Sequence, residues 1–124
     1  MSQILQNFIK ESIQPQGRSN ISIHLTSKYF IFSKFFLEKF NLQEFNYVSL
    51  YFQEDERKIA FKLFRNIDSD PSARKLSQMD GSKILRATGF YKRNGVKDSE
   101  KKRYTEFELH FQNDHEPIFI VELF

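Results

Sequence analysis

Three histidines, sixteen carboxylates and a scatter of serines are the side chains through which this 124-residue sequence could do chemistry. His110 and His115 flank the tip of the last hairpin pattern, with Asp114 and Glu116 beside them, while His24 stands apart. A metal centre needs ligands that converge, with hydrogen-bonding partners behind them. Residues spread over a solvent-facing turn do not supply that. The run Gln53-Glu54-Asp55-Glu56 offers carboxylates without an apolar flank to raise one of them for general-acid work. Ser27 and Ser33 have no base at a spacing that would activate a hydroxyl. There is no cysteine, which removes disulfides, thiolate nucleophiles and Cys-type zinc sites. Gly17, Gly81, Gly89 and Gly95 are the only glycines, so no glycine-rich phosphate loop exists. The chain reads as non-enzymatic and without a cofactor.

Charge is the stronger signal. The overall balance is a modest +3, but it is unevenly distributed. Ten bases fall between Arg74 and Arg103 against Asp80, Asp98 and Glu100, whereas Tyr104 to Phe124 holds five acids and no lysine or arginine. Clustered cations displace counterions from a phosphate backbone and give affinity independent of base sequence. The expected nucleic-acid contacts are Lys83, Arg86, Lys92, Arg93, Lys97, Lys101, Lys102 and Arg103. Tyr91 is the expected stacking residue, and Lys28 and Lys34 extend the surface from the first half. DNA, or else RNA, is the expected partner. The rival reading is a protein-interaction module whose basic lobe and acidic last hairpin meet an acidic partner or pair two copies as a homodimer.

The elements that must position these residues come in two similar sets. Residues 18–64 and 74–124 each read as strand, strand, short helix, strand, strand, with 65–73 as a linker. In the first set Ile21, Ile23 and Leu25 alternate with polar neighbours, the pattern of a half-buried strand. Tyr29 to Phe32 follows, and Ser33 caps a helix that puts Phe36, Leu37 and Phe40 on one face. Tyr47–Phe52 and Ile59–Phe64 close the set. In the second set Asp80-Gly81 marks a tight turn, a helix runs from Thr88 to Asn94 and stops at Gly95, and Tyr104–Phe111 pairs with Ile118–Leu123. Overlaying the sets puts Phe36 on Phe90, Leu37 on Tyr91, Phe52 on Phe111 and Phe61 on Val121. Neither half buries much apolar area alone. The expected fold is α+β, mainly β: one domain built as a pseudo-twofold small barrel whose core is supplied by the fifteen phenylalanines.

The first set, from Ser27 to Leu63, resembles the DNA-binding module of AbrB-like, swapped-hairpin transition-state regulators. Tyr29 to Phe32 stands for that family's first strand, Lys34 to Phe40 for its helix and Leu42 for the closing hydrophobic residue. Tyr47 to Phe52 and Lys58 to Leu63 stand for the final strand pair. The family's proline is Ser33 here and Ala87 in the second set, and its turn arginine is Lys28 and Lys83. The resemblance implies DNA binding and transcription regulation by a barrel that the family builds from two chains and this chain builds from both its halves. PC4/Whirly-like single-strand-binding folds are the topology alternative.

Ahead of the first set, Ile4, Leu5, Phe8, Ile9 and Ile13 draw one stripe along a helix. This predicts a helix over residues 1–14, capped by Ser2 and ended by Pro15 and Gly17. No apolar run is long enough for an export signal or a membrane span, so the expected compartment is the cytoplasm.

Overall fold

The computed structural model describes residues 9–12, 21–67, 70–112 and 116–124. Their strands form two antiparallel sheets. The first half supplies β1 (Ile9–Ser12), β2 (Ile23–Leu25), β3 (Tyr29–Phe32), α1 (Lys34–Lys39), β4 (Tyr47–Gln53) and β5 (Lys58–Phe64). The second half supplies β6 (Arg74–Lys75), β7 (Ser77–Met79), β8 (Ser82–Arg86), α2 (Thr88–Asn94), a 3-10 turn at Asp98–Glu100, β9 (Arg103–Tyr104), β10 (Glu106–Gln112) and β11 (Glu116–Glu122). The first sheet runs β1-β10-β11-β5-β4-β6 and the second β7-β8-β3-β2-β9.

Local chemistry fixes the elements. Ser33 caps α1, its Oγ accepting from the Phe36 amide at 3.1 Å. α2 ends in Gly95, whose left-handed backbone (φ 62°) lets its amide reach the Tyr91 carbonyl. Asp80 and Gly81 both take positive φ in the β7–β8 turn. The two helices bury matching residues, Phe36 and Leu37 in α1 and Phe90 and Tyr91 in α2, as the overlay of the halves requires.

The duplication is visible in the pairing. Lys62 faces Ile118 and Lys58 faces Glu122, so exchanging the halves about Ala60 and Ile120 carries β5 onto β11. The same exchange carries β4 onto β10. It sets Phe52, which faces Ile59, over Leu109, which faces Phe119. Phe52 therefore corresponds to Leu109 rather than to Phe111, because the second hairpin is the longer of the two. The outer strands are exchanged: β1 of the first half pairs with β10 of the second, and β6 of the second half pairs with β4 of the first.

Two expectations are corrected. There is no barrel: neither sheet closes on itself, the first ending in β1 and β6 and the second in β7 and β9. The strand pairs of each half are divided between two layers, and bulky aromatic rings fill the space between them, so each layer keeps two edges. The expected helix over 1–14 also fails where it can be seen, since Ile9–Ser12 is a strand paired with Phe107 and its neighbours. Pairing with the open β10 edge overrides the helical stripe there. The rest of that segment lies outside the described residues.

The layers meet through phenylalanine. Phe61 on β5 takes Phe30 and Phe32 of β3 edge-on, at 5.0 and 5.3 Å between ring centres. Phe36 of α1 does the same with Phe119 at 4.8 Å and Phe107 at 5.4 Å. Such edge-to-face pairs add to the burial of large apolar area. Phe61→Ala should therefore cost about 3–5 kcal/mol of folding stability in chemical denaturation. A loss below about 1 kcal/mol would show that Phe61 does not join the sheets.

Candidate nucleic-acid interface

The structure divides the expected contact residues into those facing solvent and those tied into the fold. Lys83 belongs to the fold. It sits on the inner face of β8 opposite Phe32, fully buried. Its ammonium donates to the carbonyls of Leu42, Gln43 and Phe45 at 3.2, 2.6 and 3.0 Å and to Asn46 Oδ1 at 2.9 Å. Burial pulls its pKa down. No phosphate reaches such a group; it holds the loop between α1 and β4.

Tyr91 is also internal. Its ring packs edge-on against Phe30, its hydroxyl donates to the Tyr29 carbonyl at 3.1 Å, and burial pushes its pKa up. A base cannot stack on it. Lys101 lies over the Tyr91 ring at 4.7 Å and pairs with Asp98 at 2.9 Å, while Lys102 lies over the Phe124 ring at 3.8 Å. Both bases are thus engaged within the fold, Lys101 with Asp98 and α2 and Lys102 with the last residue of the sequence.

That loop is fixed by Glu100, which sequence reading left out. Arg57 meets its carboxylate through two nitrogens, at 2.6 and 3.2 Å, and also donates to the Gly95 carbonyl. Glu100 further accepts the Lys97 amide. The Arg57 hydrogen bond, foremost, holds the Glu100 pKa below the usual carboxylate value. This contribution to folding is complete above the ordinary glutamate pKa and is lost as pH falls through the lowered one.

The remaining expected contacts face solvent: Lys28, Lys34, Arg86, Lys92, Arg93, Lys97 and Arg103 are exposed. Lys34 lies against the Gly81 turn. Lys92 and Arg93 stand on the outer side of α2. Arg86 and Arg103 share a surface on the outward face of the second sheet. Strand register builds this face row by row: Ser77, Ile84, Ile31, His24 and Arg103 run across it, with Arg86 opposite Tyr29 in the neighbouring row. Lys28 stands at the turn beside Tyr29, its carbonyl accepting the Ala87 amide. Tyr29, Ile31 and Ile84 are half-buried, and the register places no carboxylate among them.

His24 is the residue on this face that sequence reading underused. Burial first and the positive Arg103 second lower its pKa, which favours the neutral imidazole. Its alternation with buried Ile23 and Leu25 already points it outward. Of the other histidines, His110 is buried on β10, and His115 lies outside the described residues with Asp114. Among the described residues no cluster of His, Cys, Asp or Glu could hold a metal ion, and no helix is long and apolar enough to cross a membrane.

Some of the surface cations are neutralised within the fold and others are not. On the first sheet Lys58 pairs with Glu56 and Glu108, and Lys62 with Glu116. No ion pair among the described residues engages Lys28, Arg86, Lys92, Arg93 or Arg103.

Set against known proteins, the chain matches no family model, no curated protein and no solved structure. Its duplicated strand–strand–helix–strand–strand order is that of a generic internally duplicated small domain.

If Lys83 serves the fold, replacing it should act on stability. Lys83→Met leaves three carbonyls without their donor and should cost about 2 kcal/mol or more in urea denaturation. A change below about 0.5 kcal/mol would show the ammonium to be dispensable.

Proposed function

We propose that this protein is a non-catalytic nucleic-acid-binding protein that receives a single strand on the outward face of its second sheet. The observation that carries the reading is the unneutralised set Lys28, Arg86 and Arg103 around the Tyr29–Ile31–Ile84 surface. Cations track the phosphates while bases rest on Tyr29 and the flanking aliphatic groups, the division of labour common to sequence-tolerant single-strand binders. A shallow sheet face suits splayed bases better than it suits a duplex, which is read by an element entering a groove. A regulatory or accessory role is part of the same proposal.

The test is anisotropy of a labelled single-stranded oligonucleotide titrated against salt. The double variant Arg86→Gln/Arg103→Gln should weaken binding and reduce the slope of log affinity against log salt by about 1.4, roughly 0.7 for each phosphate of a single strand no longer neutralised. An unchanged slope would remove this face from the interface.

His24 gives a second readout. A phosphate beside its ring favours the protonated form, so affinity should rise as pH falls from about 7.5 to about 5.5. The folded protein alone responds in the opposite sense, because the lowered His24 pKa means that acid favours the unfolded chain. His24→Gln should flatten the pH dependence of binding. A variant that keeps the full dependence would place the titrating group elsewhere.

A further inference from the structure

The pseudo-twofold is broken along the outer edges of the first sheet. On the β10 edge, β1 forms a four-residue antiparallel pairing from Glu106 to Leu109. On the corresponding β4 edge, β6 pairs only with Tyr47 and Val48 and then turns away. The Asn46 carbonyl accepts the Leu76 amide on that side, which fixes the alternation along β4. By the same alternation Leu50 and Phe52 present their amides and carbonyls outward. Neither residue's outward groups have a partner among the described residues.

Between this bare edge and α2 lies a groove of about 350 Å³. Arg74 and Arg93 line it together with Tyr51, Ser72 and Asn94. Neither arginine has a carboxylate partner among the described residues; Arg74 donates instead to the Arg86 carbonyl at 3.0 Å. The nearby Asp70 carboxylate is already occupied by the Ser49 and Ser72 hydroxyls and the Ser72 amide.

We propose that the β4 edge accepts an extended acidic peptide from a protein partner, which adds as a strand at the position that β1 occupies in the other half. The molecule itself shows what such an edge takes, since its pseudo-equivalent is filled by a strand. Main-chain pairing to Leu50 and Phe52 supplies the anchoring, and Arg74 and Arg93 select carboxylates on the incoming strand. This site adjoins the second-sheet face, since Arg74 contacts the Arg86 main chain, but its proposed contacts are different side chains and it does not depend on the nucleic-acid reading.

The experiment uses the full chain and three end-blocked, labelled hexapeptides: Glu-Val-Glu-Val-Glu-Val, its lysine counterpart, and the acidic peptide with alternate amides N-methylated. The acidic peptide should bind about tenfold more tightly than either of the others. Arg74→Glu and Arg93→Glu should each weaken it severalfold, with Arg93→Gln as the milder substitute if a charge reversal fails to fold. In the wild-type protein, amide hydrogen exchange at Leu50 and Phe52 should slow on peptide addition. Equal binding of the N-methylated or lysine peptide, or unchanged exchange at those two amides, would overturn the proposal. So would slowing there caused by self-association or by an oligonucleotide in place of the peptide. An oligonucleotide that binds while the acidic peptide does not would sink strand addition and leave the nucleic-acid reading standing.

Discussion

The contact of Phe61 with Phe30 and Phe32 is the constraint on which the rest of the structure depends. It fixes the inner face of β5 against the inner face of β3, and strand alternation then decides which residues of both sheets look outward. Phe61 also lies in the strand that pairs with β11 about the pseudo-twofold, so the same ring ties the layers together beside the junction of the halves. Large rings meeting edge to face keep the sheets apart as stacked layers. Open edges follow from that architecture, and the outward faces become the surfaces left for partners.

Two polar anchors refine this arrangement. Lys83 gathers the carbonyls of the loop between α1 and β4, and the Arg57–Glu100 pair clamps the segment after α2 to the β4–β5 turn. Of these, Lys83 draws a base out of what the sequence presents as one basic lobe, while Arg57, from outside the lobe, neutralises its Glu100. Lys101 and Lys102 are likewise occupied by Asp98 and by aromatic rings. The surface that remains is smaller than the lobe: Arg86 and Arg103 on one sheet face, Lys28 at its margin, Arg93 with Arg74 along the β4 edge, and Lys92 and Lys97 exposed on and after α2.

Much of this was legible in the sequence, and the failures have physical causes. Ser33 as a cap, Gly95 as a stop and Asp80-Gly81 as a turn are short-range effects, and each appears where the residue types put it. The repeat was legible as an order of elements, and its helices overlay as expected, whereas the hairpin overlay slipped by two residues because period-two patterns match equally well at either register. Whether strands close into a barrel or stack as layers depends on which edges pair over long distances, and alternation carries no record of that. Lys83 and Tyr91 misled for a related reason. A lysine between Ser82 and Ile84 has the composition of a surface strand, and only the fold reveals three carbonyls converging on its ammonium. His24, by contrast, was open to reading from its place between two buried aliphatics.

We propose that the outward face of the second sheet receives a single nucleic-acid strand. The most direct measurement is residue-resolved amide NMR of the full chain as an unlabelled single-stranded oligonucleotide is added. Binding on this face should concentrate shifts at His24, Tyr29, Ile31, Ile84, Arg86 and Arg103, with the first-sheet residues Lys58 and Lys62 unmoved. Shifts confined to the Lys97–Lys102 segment, or none at all with the fold intact, would contradict it.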